Sequence, residues 1–227
     1  MPATPPIAEI AALIANPGRA NMLAALLDGR ALTAGELAFA AHVSPQTASG
    51  YLARMTQTRL LILERRGRHA WYRLATPLVG RMIEGMMAVA AATPARRRWK
   101  GEEALRTART CYDHLAGRLG VALADTLTAR GHIELGEDGG EVTAAGAEFL
   151  NAFGLDLAAA GRRRRAFCRP CLDWSERRPH LAGFVGAALA SRCFELGWLR
   201  RLPDTRAVGF TLEGRRGFAE RFGLEGL

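Results

Sequence analysis

Two capped helices separated by a tight turn, a basic hairpin directly after them, and an internal repeat with an offset of 66 residues predict a mainly α fold with small β-wings (α+β). The first two observations make the N-terminal part a winged helix-turn-helix. The third makes the C-terminal part a domain of two winged-helix-like repeats. The expected division is a winged-helix domain over residues 1–95, a linker over 96–104 and a duplicated domain over 105–227.

Taken in order, residues 1–6 read as a loose end, and 7–14 and 19–27 as amphipathic helices broken at Asn16-Pro17-Gly18. Thr33 can cap the next helix, and Glu36, three positions on, can reach back to the cap amide. That helix ends near His42-Val43. Ser44 then caps another, with Pro45 at its first position, where a missing N–H costs nothing. Ala48, Leu52 and Met55 recur at helical spacing and form its buried face. Ser44, Gln46, Thr47, Ser49, Gly50, Tyr51 and Arg54 are left facing outward, and short polar side chains at the start of such a helix suit base edges in a major groove. Residues 60–74 read as two strands around the basic turn carrying Arg65, Arg66, Arg68 and His69, a wing suited to phosphates or a minor groove.

Charge placement agrees with that reading. The chain holds 31 Lys+Arg against 22 Asp+Glu, a net +9. Residues 1–100 hold 13 basic against 5 acidic side chains, while the remaining 127 residues hold 18 against 17. The positive excess travels with the winged helix, as a double-stranded DNA partner requires. No stretch is long and apolar enough to span a membrane, and the start, with Glu9 inside its apolar part, does not read as a signal peptide. Four cysteines in 227 residues are too few for a disulfide framework, so a cytoplasmic, reducing setting is expected.

Residues 78–92 form a helix that is apolar almost all round apart from Arg81 and Glu84, and so needs a partner, either a second chain or the domain that follows. Thr93 to Lys100 breaks the pattern and supplies the arginine-rich linker. Beyond it, His114-Leu115-Ala116-Gly117 recurs as His180-Leu181-Ala182-Gly183, and Gly131-His132-Ile133 as Gly197-Trp198-Leu199. Val142-Thr143 is answered by Val208 to Thr211, and Phe153-Gly154-Leu155 by Phe222-Gly223-Leu224. Each copy reads helix, glycine stop, two short strands, then a helix capped by Thr143 or Thr211. Copies with matching apolar faces are expected to pack together.

Candidate chemistry gathers in this half. Cys168-Arg169-Pro170-Cys171 is a CxxC, and Cys111, His114 and His180 stand in repeat-related segments, with Cys111-Tyr112-Asp113 answering Cys171-Leu172-Asp173. If the copies face each other, Cys168, Cys171, Cys111, His114 and His180 can converge as donors for Zn or another thiophilic metal ion. The same thiols, near many arginines, also fit an oxidant-sensing switch, a pocket wall for a small-molecule effector, or plain packing with the histidines as helix caps. Cys193 lies at helical spacing and reads as core. Arg162 to Arg165 read as a solvated face. No Gly-rich phosphate loop, HExxH or GxSxG occurs, and no βαβ pattern surrounds the CxxC, so no enzyme is expected.

Asn16 to Leu23, Leu32 to Ala38, Val43 to Leu52 and Gly67 to Leu74 together resemble the ArsR family of bacterial repressors, over about residues 7–92 and in that family's element order, α-α-α-α-β-β-α. The resemblance implies a homodimer joined by its first and last helices, binding a pseudo-palindromic operator through residues 44–55 and the wing, and released by an effector. It does not carry over the metal sites of that family. Where some members hold paired cysteines this chain has Ala38-Phe39-Ala40, and where others hold Asp and His on the last helix it has Met and Ala. The expected function is therefore a sequence-specific DNA-binding transcriptional regulator, a repressor whose signal is sensed in the duplicated domain by metal or thiol chemistry. The alternative is a DNA-associated adaptor or architectural protein whose duplicated domain docks a protein partner.

Overall fold

Capping chemistry sets the first boundaries. In the computed structural model, which describes residues 6–66, 69–91, 102–137, 139–162, 166–203 and 205–226, helix α1 (Pro6–Ile14) is followed by α2 (Pro17–Ala25). Asn16 Oδ1 accepts from the Arg19 amide at 3.1 Å, and Pro17 sits at the first helical position. A 3-10 turn (Leu26–Asp28) and strand β1 (Leu32–Thr33) lead to α3 (Ala34–Ala41), where Thr33 and Glu36 form the reciprocal capping box. His42 closes α3 in the left-handed region at φ 54°. Helix α4 (Pro45–Gln57) starts three residues later, with Ser44 Oγ accepting from the Thr47 amide at 3.2 Å.

The wing is the antiparallel pair β2 (Leu61–Arg66) and β3 (His69–Leu74), in register from Leu61↔Leu74 to Arg66↔His69. Strand β1 adds to it through Leu32↔Tyr72, giving the order β1-β3-β2. Met22, Leu23, Leu37, Ala48, Leu52, Met55 and Leu61 are fully buried beneath these elements. The wing tip at residues 67–68, which includes Arg68, lies outside the described residues, as do residues 163–165 of the arginine run.

Helix α5 (Pro77–Ala91) follows the wing. The chain divides into two compact units between Ile83 and Glu84, inside this helix, rather than at the expected linker. The reason is packing: Ala88 lies buried with Leu105, Trp174 and Ala207, Met87 packs against them, and Glu84 is buried among arginines. Residues 92–101, most of the expected linker, lie outside the described residues. Its last part, expected as spacer, instead belongs to α6 (Glu102–Thr107), with Glu102 buried.

The second unit repeats one motif twice. Copy one runs β4 (Arg109–Cys111), β5 (His114–Ala116), α7 (Gly117–Ala129), β6 (Ile133–Leu135), β7 (Gly140–Val142), α8 (Ala144–Ala152). After a 3-10 turn (Leu157–Arg162), copy two runs β8 (Arg169–Leu172), β9 (Pro179–Ala182), α9 (Gly183–Glu195), β10 (Leu199–Arg201), β11 (Val208–Phe210), α10 (Leu212–Phe222). The hairpin ahead of each central helix was not expected from sequence, because strands of three or four residues carry too little alternation to register.

Equivalent residues do equivalent work. Thr143 and Thr211 both cap the following helix, accepting from Gly146 and Gly214 amides at 3.0 and 2.9 Å. Their hydroxyls donate to the Gly131 and Gly197 carbonyls at 2.7 and 2.8 Å. Gly117 and Gly183 turn the chain from strand into helix at φ +76° and +84°, which a Cβ would resist. The histidines are therefore strand residues and not caps: the caps of α7 and α9 are Ala116 and Ala182, which offer no side-chain bond. As expected, the copies share one core, in which Leu119, Leu123, Leu127 and Phe153 meet Val185, Leu189, Cys193, Phe218 and Phe222.

Candidate functional site

On α4 the residues read as a DNA-facing set divide in two. Ser44, Gln46, Thr47, Ser49, Gly50 and Arg54 are exposed, as is Arg65 on β2. Of Arg66 and His69 only the backbone is described. Ser49 Oγ is turned back to the Pro45 carbonyl at 3.0 Å, and Ser44 Oγ both caps the helix and pairs with Thr47 Oγ1 at 2.9 Å, so Gln46 and Arg54 are the reaching side chains of this face. Tyr51 is a correction. It lies at the edge of the stripe formed by Ala48, Leu52 and Met55, and its ring packs under the Arg19 guanidinium, 5.0 Å from the centroid. A Cβ on Gly18 would come within 3.0 Å of that ring. Tyr51 braces α2 against α4 instead of facing outward.

In the second unit the sheet register builds a cluster. Cys111 pairs with His114 across the first hairpin and Cys171 with His180 across the other. The two hairpins bring all four side chains together, fully buried, with one donor atom from each lying within 4.8 Å of every other. The sulfurs of Cys111 and Cys171 stand 4.0 Å apart, and the Nε2 atoms of His114 and His180 stand 3.1 Å apart. The close fit depends on two glycines: a Cβ on Gly120 would lie 2.4 Å from the Leu115 carbonyl oxygen and 3.4 Å from the His180 Cβ. One on Gly186 would lie 2.3 Å from the Leu181 oxygen and 3.2 Å from the His114 Cβ.

Each ring is oriented by a carboxylate two residues after the cysteine of its own copy. Asp113 Oδ1 lies 3.2 Å from His114 Nδ1, and Asp173 Oδ2 lies 3.2 Å from His180 Nδ1. Asp173 is wholly buried and surrounded by donors. Its Oδ2 accepts from Arg109 Nη2 at 3.0 Å and the Gly117 amide at 2.6 Å; its Oδ1 accepts from the Ser175 amide and hydroxyl and the Glu176 amide at 2.7–3.1 Å. Burial works against its charge, but the His180 contact and the Arg109 guanidinium outweigh it and hold the carboxyl well below the usual range. Arg109, also fully buried, stacks on Trp174 with 4.7 Å to the ring centroid and stands 3.8 Å from Glu84 of α5, which is itself paired with Arg206.

The thiols fall into two classes. The hydrogen bond with Cys171, together with burial, pushes Cys111 up to about 12, while Cys171 is lowered by that same bond. Cys168 and Cys193 are raised to about 11 and about 12, chiefly by burial, which leaves them inert. Cys168 does not join the cluster. Three positions apart along extended chain, Cys168 and Cys171 point to opposite faces, and Cys168 enters the apolar core beside Gly140. The CxxC was thus a misleading signal, and the pattern that finds the site is Cys-x-Asp in both copies.

An exposed polar helix set on a helix-turn-helix and followed by a basic hairpin defines a winged-helix DNA-binding protein. The chain belongs to the HTH-type transcriptional regulators: it is 40% identical over 223 residues, 97% of its own length and 99% of the relative's, to the uncharacterized HTH-type transcriptional regulator YdfF of Bacillus subtilis (strain 168). No protein-family model matches it. Among solved structures, the winged helix-turn-helix domain of Mb0332 from Mycobacterium bovis, a possible ArsR-family regulator, is 24% identical, covering 41% of this chain and 86% of that one with a TM-score of 0.37. The antimony-specific transcriptional repressor AntR is 32% identical over 37% of this chain and 78% of that one, with a TM-score of 0.33. Among the described residues no single helix is long and apolar enough to cross a membrane.

Proposed function

We propose that this regulator is an ArsR-type repressor, a cytoplasmic homodimer that leaves a pseudo-palindromic operator when a signal is received at the Cys–His cluster of its duplicated domain. The observation that carries the DNA-binding half is the exposed face of α4, where Gln46 and Arg54 stand clear of a helix whose other side is fully buried. The dimer is supported by unpartnered apolar surface on the first and last helices of the ArsR-like part: Ile7 is 77% exposed on α1, and Leu78, Met86 and Val89 are 64%, 46% and 75% exposed on α5. Those three fall at helical spacing on one stripe. The sensing half is supported by the cluster, the largest concentration of buried polar chemistry among the described residues of the second unit.

Operator binding measured against salt tests the first half. The wild type is expected to lose affinity steeply as salt rises, and Arg54→Ala and Arg65→Ala to weaken binding, each lowering the salt slope by about one where a phosphate contact is lost. Unchanged affinity in both variants would show that the assigned surface is not the one that meets DNA.

A further inference from the structure

We infer that Cys111, His114, Cys171 and His180 form a closed tetrahedral site for one thiophilic dication of the zinc class, half of it supplied by each repeat. The inference deepens the sensing role just proposed and rests on it only for the link to operator release. Geometry comes first. Metal–sulfur bonds of about 2.3 Å and metal–nitrogen bonds of about 2.0–2.1 Å in a tetrahedron place two sulfurs roughly 3.8 Å apart and two nitrogens roughly 3.3 Å apart. The observed separations are 4.0 Å and 3.1 Å. The sulfur pair and the nitrogen pair each lie within a few tenths of an ångström of those values, and every donor lies within 4.8 Å of the others.

The facing ring nitrogens give a second reason. A carboxylate oxygen stands 3.2 Å from each Nδ1, hydrogen-bonded in the case of His114 and at ion-pair distance only in the case of His180, and the two Nε2 atoms face each other at 3.1 Å. Two lone pairs at that distance repel unless a proton or a cation lies between them. A carboxylate behind each histidine is also how metal-bound imidazoles are oriented and made more basic. Charge balance points the same way: two thiolates and a dication sum to zero, which a fully buried site tolerates. Soft sulfur and imidazole donors select zinc-like ions over magnesium or calcium. Four protein ligands leave no open position, so the ion would hold structure or report its own presence and would not activate a water.

The test is a Co²⁺ titration of the reduced, chelator-treated full chain, with Co²⁺ as the spectroscopic stand-in. Expected are thiolate-to-cobalt charge-transfer absorption and tetrahedral ligand-field bands that saturate at one equivalent per chain and are bleached by Zn²⁺. Cys111→Ser and Cys171→Ser should each diminish the charge-transfer band, while Cys168→Ser should leave it intact. Absence of the bands in wild type overturns the site, and so does their loss in Cys168→Ser. Failure to take up cobalt, combined with a Cys111–Cys171 crosslink under oxidant, would make the pair a thiol switch and overturn the metal site. Operator affinity with and without Zn²⁺ separates the two readings: tight metal binding with unchanged affinity keeps the site and sinks the sensor.

Discussion

Asp173→Asn tests whether the buried network is assembled as described. The substitution keeps shape and removes charge, and the amide NH2 has nowhere to go. Turned one way it meets Arg109 Nη2 and the Gly117 amide; turned the other, the Ser175 amide and hydroxyl and the Glu176 amide. The guanidinium and the backbone amides can only donate, so either orientation sets donor against donor. Arg109, with no exposed side-chain surface, also loses its closest carboxylate and keeps only Glu84 at 3.8 Å. Removing one partner of a buried ion pair costs about 3–5 kcal/mol, which raises the unfolded fraction of this unit roughly 150- to 4,500-fold. With a urea slope near 2 kcal/mol/M, the midpoint should fall by roughly 1.5–2.5 M.

Trp174, whose ring carries the Arg109 guanidinium at 4.7 Å, and Trp198 are the reporters of this unit once Trp71 and Trp99 are replaced by Phe. Asp113→Asn is the control: its side chain is 28% exposed, and a loss under about 1 kcal/mol is expected. A midpoint for Asp173→Asn within about 0.5 M of wild type would refute the donor-crowding argument. A separate consequence concerns the proposed ion: with His180 less firmly held, cobalt affinity should drop roughly 10- to 100-fold.

Three further outcomes are expected. Gly120→Ala and Gly186→Ala each drive a methyl to within 2.4 Å of a carbonyl oxygen, so both should broaden or abolish cooperative unfolding of the second unit while leaving the winged helix folded, as seen by amide exchange. Burial alone would raise the Glu84 carboxyl, but Arg206 and Arg109 outweigh it and hold it below the ordinary value. Its stabilising contribution is therefore full above the ordinary carboxylate range and is lost as pH falls through the lowered value, so the stability gap between wild type and Glu84→Gln should shrink on acidification; a gap that widens contradicts the assignment. Val89→Glu, on the exposed stripe of α5, should shift sedimentation toward monomer without lowering the melting temperature of either unit.

How much of this was legible in the sequence depends on the distance over which each signal acts. Thr33, Glu36, Ser44 and Pro45 announce their helices because a cap involves only neighbours within one turn. The wing and the repeat were legible for similar reasons. Tyr51 was misplaced because an outward position on a helical wheel says nothing about Arg19 and Gly18, which approach it from another helix. The cluster was legible in its membership and not in its pairing. Cysteine partners stand 60 residues apart and histidine partners 66, because copy two carries six extra residues between Asp173 and His180. That insertion hid the shared order of Cys, Asp and His, while the adjacent CxxC offered a shorter and wrong pairing. Arg109 and Glu84 gave no local sign of their roles, since buried charges declare themselves only through partners folded onto them.

The duplication itself explains why the site has the form it does. One hairpin presents a single Cys opposite a single His, and two donors hold a dication weakly. Placing a second copy so that β5 meets β9 doubles the donors and closes the tetrahedron, so occupancy becomes sensitive to the register of the two repeats. A sensor needs a group whose partners differ between the empty and filled states. His180 has that character, because its Nε2 faces the cluster while its Nδ1 faces Asp173, and Asp173 holds Arg109, which stands beside Glu84. Glu84 belongs to the helix that follows the wing. On the proposed reading, His180 engaged by an ion would alter the position of the carboxylate behind it, and Glu84, reached through Arg109, would be the first residue of α5 to register the difference.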